Sequence, residues 1–198
     1  MLASASPARL ATLRQAGIHP RVVVSGVDET TSTSDPVELS AGLAALKARA
    51  VASELTGEPG PARWVLGCDS VLELDGAVLG KPHDAETARR CWRAMRGRSG
   101  VLHTGHCLIG LDPAAEVVRS VATTVHFASL EDREIDAYVA TGEPLEVAGA
   151  FTVDGLGGAF VRGIEGDHHN VVGLSLPVLR EMFAELDVLW TDLWDPRD

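Results

Sequence analysis

The stretch LASASPARLATL, residues 2–13, has the pattern of a short strand, a tight serine-containing turn and the start of a helix. Ser6 is a favoured N-cap residue, and Pro7 suits the first helical position, where its missing N–H leaves no bond unmade. Apolar residues then recur at helical spacing as far as Gly17. The stretch therefore predicts a strand–turn–helix unit.

This turn also carries groups that suit an anion. Backbone N–H groups are free at the start of a helix, and the helix dipole favours negative charge there by ~0.3–1 kcal/mol. The hydroxyls of Ser4 and Ser6 and the guanidinium of Arg9 add side-chain donors. The turn is therefore a candidate phosphate-binding site. The alternative is an ordinary capped helix with a surface arginine.

Length and composition indicate one globular domain. The chain has 198 residues, of which 45% are hydrophobic and 23% are charged, enough for one substantial core. We expect a single domain over residues 1–198, with a frayed tail at about 187–198.

The charge and the cysteines exclude several classes of protein. A net charge of −11 opposes binding to a nucleic acid polymer, and an acidic protein that handles phosphates would need a divalent metal. Cys68, Cys91 and Cys107 are too far apart for a metal motif and predict reduced thiols. No segment approaches the ~18 apolar residues of a membrane span, and no secretory signal is evident. We therefore expect a cytoplasmic protein with no membrane contact.

Strand-like and helix-like segments alternate along the chain. This alternation, with one long hairpin, predicts an α/β fold with a mixed twisted sheet and flanking helices. The expected elements are a strand over 19–25, a helix over 36–55, a short strand over 64–66, a hairpin about Asp75-Gly76, a helix capped by Asp84 that ends at Met95, a long hairpin over 101–127, and helices over 130–140 and 176–186.

Carboxylates follow two of the predicted strands. Glu29 comes just after the strand over 19–25, and Asp69 follows the short apolar strand over 64–66. Two carboxylates from separate strand ends suit a hard cation such as Mg²⁺, and either could take a proton from an attacking water. The alternative for Asp69 is a buried cap on the next turn.

Three cations stand in separate segments. Arg9 lies in the first helix, Lys47 beside the apolar stripe of the second, and Lys81 at the end of the hairpin that returns toward Asp69. Each alone has the character of a surface charge, but together they would neutralise a polyphosphate.

Three further features predict structure rather than chemistry. His168 and His169 are adjacent, and on a strand they would point to opposite faces, so they would not share a metal ion. Glu143, in Thr-Gly-Glu-Pro, is most simply interpreted as a turn residue. The glycines between 149 and 158 indicate a close approach of the backbone to another group.

Short motifs with chemical character stand in order from residue 2 to about 186. They are Leu-Ala-Ser-x-Ser-Pro-x-Arg at 2–9, Asp28-Glu29, Lys47, Gly-x-Asp-Ser at 67–70, Leu-Gly-Lys-Pro at 79–82, Thr104-Gly105, Tyr138 with Thr-Gly-Glu-Pro at 141–144, Ala-Gly at 148–149, and Asn-Val-Val-Gly-Leu at 170–174. In the order and spacing of these motifs, the chain resembles the Maf family of nucleoside triphosphate pyrophosphatases.

The resemblance implies an activity and a fold. The activity is hydrolysis of a nucleoside triphosphate to the monophosphate and pyrophosphate with Mg²⁺ or Mn²⁺, in housecleaning of nucleotides or in influencing cell division. The fold is an elongated two-lobed one, related to that of inosine triphosphate pyrophosphatase and commonly a homodimer. The family's proton acceptor falls on Asp69, and its other site positions fall on Ser6, Arg9, Glu29, Lys47, Ser70 and Lys81.

Three departures from the family pattern concern the cleft. Ala8 stands where the family usually has a second arginine, and Ser70 stands where threonine is common but keeps the hydroxyl. Asp154 stands where the branch that prefers dTTP and UTP has glutamine, which leaves the preferred base open.

Two other functions remain in view. The first is a nucleotide-binding regulator of cell division with little or no turnover, because Ala8 and Asp154 both change the cleft. The presence of Asp69, Glu29 and Lys81 together favours catalysis instead. The second is a phosphatase acting on a sugar phosphate, which fits the charges but not the order of the motifs.

Overall fold

A mixed six-stranded sheet forms the centre of the protein, in a computed structural model that describes residues 1–30, 33–55 and 63–194. β2 (Trp64–Leu74) pairs parallel with β1 (Leu2–Ala3) and antiparallel with β3 (Ala77–Leu79). On its other side, β2 pairs antiparallel with β4 (Ser99–Leu111), followed by β5 (Ala114–Phe127) and β6 (Val161–Glu165), also antiparallel. The mixed α/β class is therefore confirmed.

Six α-helices accompany the sheet in the described residues. Two of them begin where the sequence predicts. Ser6 caps the start of the first helix by accepting a hydrogen bond from the N–H of Arg9, and Asp84 caps the start of the third by accepting one from the N–H of Thr87. The helices are α1 (Pro7–Gln15), α2 (Pro36–Leu55), α3 (Ala85–Met95), α4 (Asp132–Ala140), α5 (His168–Val172) and α6 (Leu176–Glu185). In the described residues, no helix combines the length and the apolar character that a bilayer crossing requires.

α2 lies unusually close to one face of the sheet because two glycines leave room for its backbone. A Cβ added at Gly67 in β2 would overlap the backbone oxygen of Ala44, and a Cβ at Gly105 in β4 would overlap that of Ser40. Gly67 thus lies inside β2, just beyond the strand end that the sequence predicts at residue 66. Its role is to let α2 pack onto β2, which places Lys47 above the strand.

The remaining core is divided between the two ends of the sheet. Trp92 of α3 is fully buried and makes edge-to-face contacts with Phe127, Tyr138 and Phe160. Near the other end, α1 and α6 pack on β2 and β4 in a cluster that includes Leu13 and Met182.

Three predictions about local structure are wrong. The β-branched segment over 19–25 forms no regular strand, since only Val22 makes a single bridge, to Leu2. β2 does not end at 66 but continues to Leu74, because β4 pairs with it as far as Glu73. His168 and His169 begin helix α5 rather than lie on a strand, because the Asp167 carboxylate caps that helix.

The described part of the tail that the sequence predicts to fray contains a helical turn. Residues Trp190–Leu193 form a turn of 3₁₀-helix, and Trp190 packs edge-on against Phe183 of α6. The apolar side chains of Trp190 and Leu193 join the cluster beneath α6, so burial orders them. Residues 195–198 lie outside the described part of the chain.

Candidate active site

A gap in the edge of the sheet opens onto a cavity of about 510 Å³. β1 last pairs with β2 at Gly67, and β3 pairs with β2 only from Leu72 onward, on the same edge. Within the described ranges, residues 68–71 thus have no strand partner on that edge. Successive strand residues point to opposite faces, so Asp69 and Ser70 would ordinarily be separated by the sheet. At an open edge both line one cavity.

Lys47 joins the two predicted carboxylates. Its Nζ lies 2.6 Å from Asp69 Oδ1 and 2.9 Å from Glu29 Oε1. The side chains of Lys47 and Asp69 are only 11% and 12% exposed, whereas that of Glu29 is 49% exposed. Because charge-assisted hydrogen bonds strengthen away from water, the Lys47–Asp69 contact is the stronger of the two. The structure brings these three segments together, and it places Asp69 within a strand rather than at its end.

Arg9 lies in the same cavity, but most of its donors are used by the protein itself. Nε donates to the carbonyl of Gly173 at 2.7 Å, and Nη1 donates to Ser4 Oγ at 3.2 Å and to the carbonyl of Cys68 at 2.9 Å. Nη2 donates to Ser70 Oγ at 3.0 Å. A guanidinium has five N–H donors, so about one remains for a ligand. Arg9 therefore ties α1 to β2 and to the turn at 173.

The serine turn has the geometry predicted for it. Ser4 Oγ accepts hydrogen bonds from Arg9 Nη1 and from the N–H of Ser6, both at 3.2 Å. Ser6 Oγ accepts from the N–H of Arg9 at 3.4 Å. Both hydroxyls act as acceptors within the protein, so their protons can be directed into the cavity that both residues line.

Lys81 and Asp154 complete the set of predicted residues around the cavity. The β2–β3 hairpin brings Lys81 back to it, and the N–H of Gly149 donates to the carbonyl of Gly80 at 3.1 Å, which holds the next turn beside it. In the part of the chain that the structure describes, Lys81 forms no ion pair. Of the three cations, Lys81 therefore has the fewest interactions within the described part of the protein and is the most available to a ligand.

A family model described as Maf-like protein matches residues 1–186 of this chain. The chain belongs to the Maf family. Proteins named nucleoside triphosphate pyrophosphatase are similar to it over almost their whole length. That of Salinispora tropica is 57% identical over 195 residues, covering 98% of this chain and 86% of the relative. Those of Streptomyces coelicolor and Cutibacterium acnes are 53% and 54% identical, covering 100% and 98% of this chain and 95% and 94% of the relatives.

Glu143 of this Maf protein is far more than a turn residue. Its Oε1 accepts hydrogen bonds from Tyr138 Oη at 2.9 Å, Thr152 Oγ1 at 2.5 Å and the N–H of Gly157 at 3.0 Å, and its Oε2 accepts from the N–H of Leu156 at 3.0 Å. Burial tends to raise the pKa of Glu143, but these hydrogen bonds outweigh it and hold the pKa below its usual value. The glycine-rich backbone thus approaches Glu143, which fixes the loop bearing residue 154.

His106 is a buried group that the sequence did not single out. Its Nε2 accepts a hydrogen bond from the N–H of Ser175 at 2.9 Å, which requires the neutral ring. Burial, with the nearby Arg9 cation as a second cause, lowers the pKa of His106 to about 4 from an ordinary 6.5. A sequence feature that could have indicated His106 is the presence of a histidine among the apolar residues of the strand over 101–110.

The free energy of unfolding should therefore depend on His106 in mild acid. The unfolded chain takes up this proton near pH 6.5 and the folded chain only near pH 4, so stability falls as pH drops through that window. The loss attributable to this group is up to about 3 kcal/mol. His106→Gln retains an acceptor for Ser175 but does not titrate. Denaturant unfolding between pH 7 and 4 should show a shallower pH dependence for the variant. An unchanged slope would remove His106 from the acid response.

Proposed function

We propose that this Maf-family protein hydrolyses a nucleoside triphosphate to the monophosphate and pyrophosphate. The observation that carries the proposal is the Lys47 ammonium held between Asp69 and Glu29 at the edge of a cavity that also contains Lys81 and the serine turn. The relatives' name points the same way. We further infer the elongated two-lobed fold related to inosine triphosphate pyrophosphatase, a homodimer and a cytoplasmic location.

In the proposed reaction, Asp69 accepts a proton from the attacking water. The water oxygen bonds to the α-phosphorus, and the anhydride bond between the α- and β-phosphates breaks. Pyrophosphate leaves with the electrons of that bond. Lys47 orients the Asp69 carboxylate and leaves its second oxygen for the water. Lys81, Ser4 and Ser6 would bind phosphate oxygens, and Arg9 would hold Ser4 and Ser70 in place while offering one remaining N–H.

The charges around the cavity favour a divalent cation as part of the substrate complex. Three cations line the cavity, against the four carboxylates of Glu29, Asp69, Glu146 and Asp154. A triphosphate, itself strongly anionic, would meet a surplus of negative charge without an added cation.

Glu29 and Asp69 would hold Mg²⁺ or Mn²⁺ through lone pairs that neither Lys47 nor the attacking water uses, since a carboxylate offers about four lone pairs. Lys47 contacts one oxygen each of Glu29 and Asp69. Such ions commonly bind to one or two carboxylates and to substrate phosphates, and among the described residues no cluster of three or more acidic, histidine or cysteine ligands offers an alternative. Bound there, the cation would neutralise charge on the phosphates.

One assay separates the candidate functions. The protein is incubated with a panel of ordinary and modified nucleoside triphosphates and Mg²⁺ or Mn²⁺, and pyrophosphate and phosphate are measured separately. The proposal expects monophosphate and pyrophosphate in equal amounts. Phosphate without pyrophosphate would favour a phosphatase, and tight binding without either product would favour the regulator.

Asp154 should influence which base is preferred. Its carboxylate only accepts hydrogen bonds, whereas the glutamine of the dTTP- and UTP-preferring branch both donates and accepts. A site built around one such bond discriminates strongly against bases that lack the matching group. Asp154→Gln should shift relative kcat/KM toward dTTP or UTP. The matched Asp154→Asn variant tests loss of charge alone, and an unchanged ranking in both would leave Asp154 as a turn residue before Gly155.

A further inference from the structure

Ser70 belongs to a chain of hydrogen bonds that runs from Arg9 to α5. Arg9 Nη2 donates to Ser70 Oγ at 3.0 Å, and Ser70 Oγ lies 2.9 Å from Thr104 Oγ1. Thr104 Oγ1 in turn lies 3.1 Å from the backbone oxygen of Asn170. Thr104 and Asn170 are completely buried, so these groups bond to one another rather than to water.

The partners at the two ends of the chain fix the direction of every proton in it. A carbonyl oxygen only accepts, so the one hydroxyl proton of Thr104 points to Asn170. Ser70 must then donate its own proton to Thr104. At the other end a guanidinium only donates, so Ser70 Oγ accepts from Arg9. What the Ser70 hydroxyl has left for the cavity is a lone pair.

We propose that Thr104 is a positioning residue that keeps the Ser70 hydroxyl a hydrogen-bond acceptor toward the bound ligand. Ser70 then faces an electropositive atom of the ligand, such as a hydroxyl hydrogen or a cation. A phosphate oxygen that lies near Ser70 is repelled in the wild type, because two oxygens with no proton between them repel. The inference rests on the proposed function, since it assumes a polyphosphate in this cavity.

Ser4 provides the contrast within the same site. Its Oγ accepts from Arg9 Nη1 and from the N–H of Ser6, and within the described residues its proton has no protein acceptor. Ser4 can therefore donate to a phosphate oxygen where Ser70 cannot. Arg9 donates to both serines, so the two hydroxyls differ in whether the protein supplies an acceptor for their proton.

Thr104→Val tests the direction of the Ser70 proton. Valine keeps the branched shape that suits a strand, and the Asn170 carbonyl keeps the N–H of Gly173 as a partner at 3.0 Å. Without its acceptor, the Ser70 proton can turn to the cavity and donate to a phosphate. Binding of pyrophosphate at fixed Mg²⁺, measured by titration calorimetry, should therefore tighten by about threefold to tenfold. Thr104→Ser retains the hydroxyl and should bind as the wild type does.

The double variant shows whether Thr104 acts through Ser70. In a Ser70→Ala background, Thr104→Val should leave pyrophosphate binding unchanged. Unchanged or weaker binding by Thr104→Val alone, or tightening that persists without the Ser70 hydroxyl, would overturn the inference. General damage to the fold would weaken binding, the opposite sign. If the wild-type protein binds no pyrophosphate, the proposed function and this inference both fail; if it binds and Thr104→Val changes nothing, only this inference fails.

Discussion

Asp69→Asn should lower kcat by about 10²–10⁴ while leaving the fold intact, because an amide cannot take the proton of the attacking water. The asparagine oxygen can still accept the hydrogen bond from Lys47 that Asp69 Oδ1 accepts now at 2.6 Å. The change also removes one negative charge from the cavity, which would lower the affinity for a divalent cation there. Initial rates of pyrophosphate release at saturating substrate and several Mg²⁺ concentrations measure both effects.

A surface carboxylate provides the control for this variant. Asp136 of α4 pairs with Arg89 Nε at 2.7 Å outside the cavity, and exposed pairs of this kind contribute little. Asp136→Asn should keep the wild-type kcat and unfolding temperature, whereas Asp69→Asn should unfold cooperatively at a somewhat lower temperature, because its contact with Lys47 becomes an ordinary hydrogen bond. An Asp69→Asn enzyme with a rate within about threefold of the wild type would contradict the role of Asp69, since general-base loss costs far more.

Local patterns were enough to predict the pieces of this fold. The cap at Ser6, the proline after it and the Asp75-Gly76 turn each depend on neighbouring residues, and the structure has all three where the sequence indicates them. Both turn residues have positive φ, 50° at Asp75 and 79° at Gly76, as a two-residue hairpin turn requires.

The position of Asp69 could not be predicted in the same way. The sequence placed it at a strand end, which is how a carboxylate usually reaches a cleft. It reaches the cavity instead because β1 stops at Ala3 and β3 begins to pair only at Leu72, leaving part of β2 without a neighbour on that edge. That gap depends on the lengths of two other strands, and no pattern around residue 69 records it.

The roles of the charged side chains depend on equally distant partners. Arg9 donates to the carbonyl of Gly173, 164 residues away, and Glu143 collects donors from 138 to 157. Sequence reasoning could predict that Arg9, Lys47 and Lys81 meet, but not that the first two are largely engaged by the protein. Hydrogen-bond partners that the fold supplies decide how much of each charge is left for a ligand.

Lys47→Met should reduce kcat/KM by about 10²–10⁴, the second of the two largest expected effects. Lys47 orients Asp69 and separates it from Glu29, and a general base that is no longer held in place loses the advantage of general-base catalysis, about 10²–10⁴ in rate. Methionine fills the space of the buried stem. The loss in the free energy of unfolding should therefore be smaller than the increase in activation free energy that corresponds to the lower kcat/KM. Without the ammonium, the two carboxylates face each other unscreened, and Asp69 loses the partner that orients it.

Two further variants make the Lys47 result specific. Arg49→Met, two residues further along α2, removes the surface ion pair with Glu116 and should leave kcat/KM unchanged. Adding Glu29→Gln to Lys47→Met removes the repulsion between the carboxylates. If Lys47 acts by holding both carboxylates, the double variant should be less impaired than the product of the two single losses, because the two side chains act on one contact. A Lys47→Met enzyme as active as Arg49→Met, or losses that simply multiply, would show that Lys47 does not hold the pair.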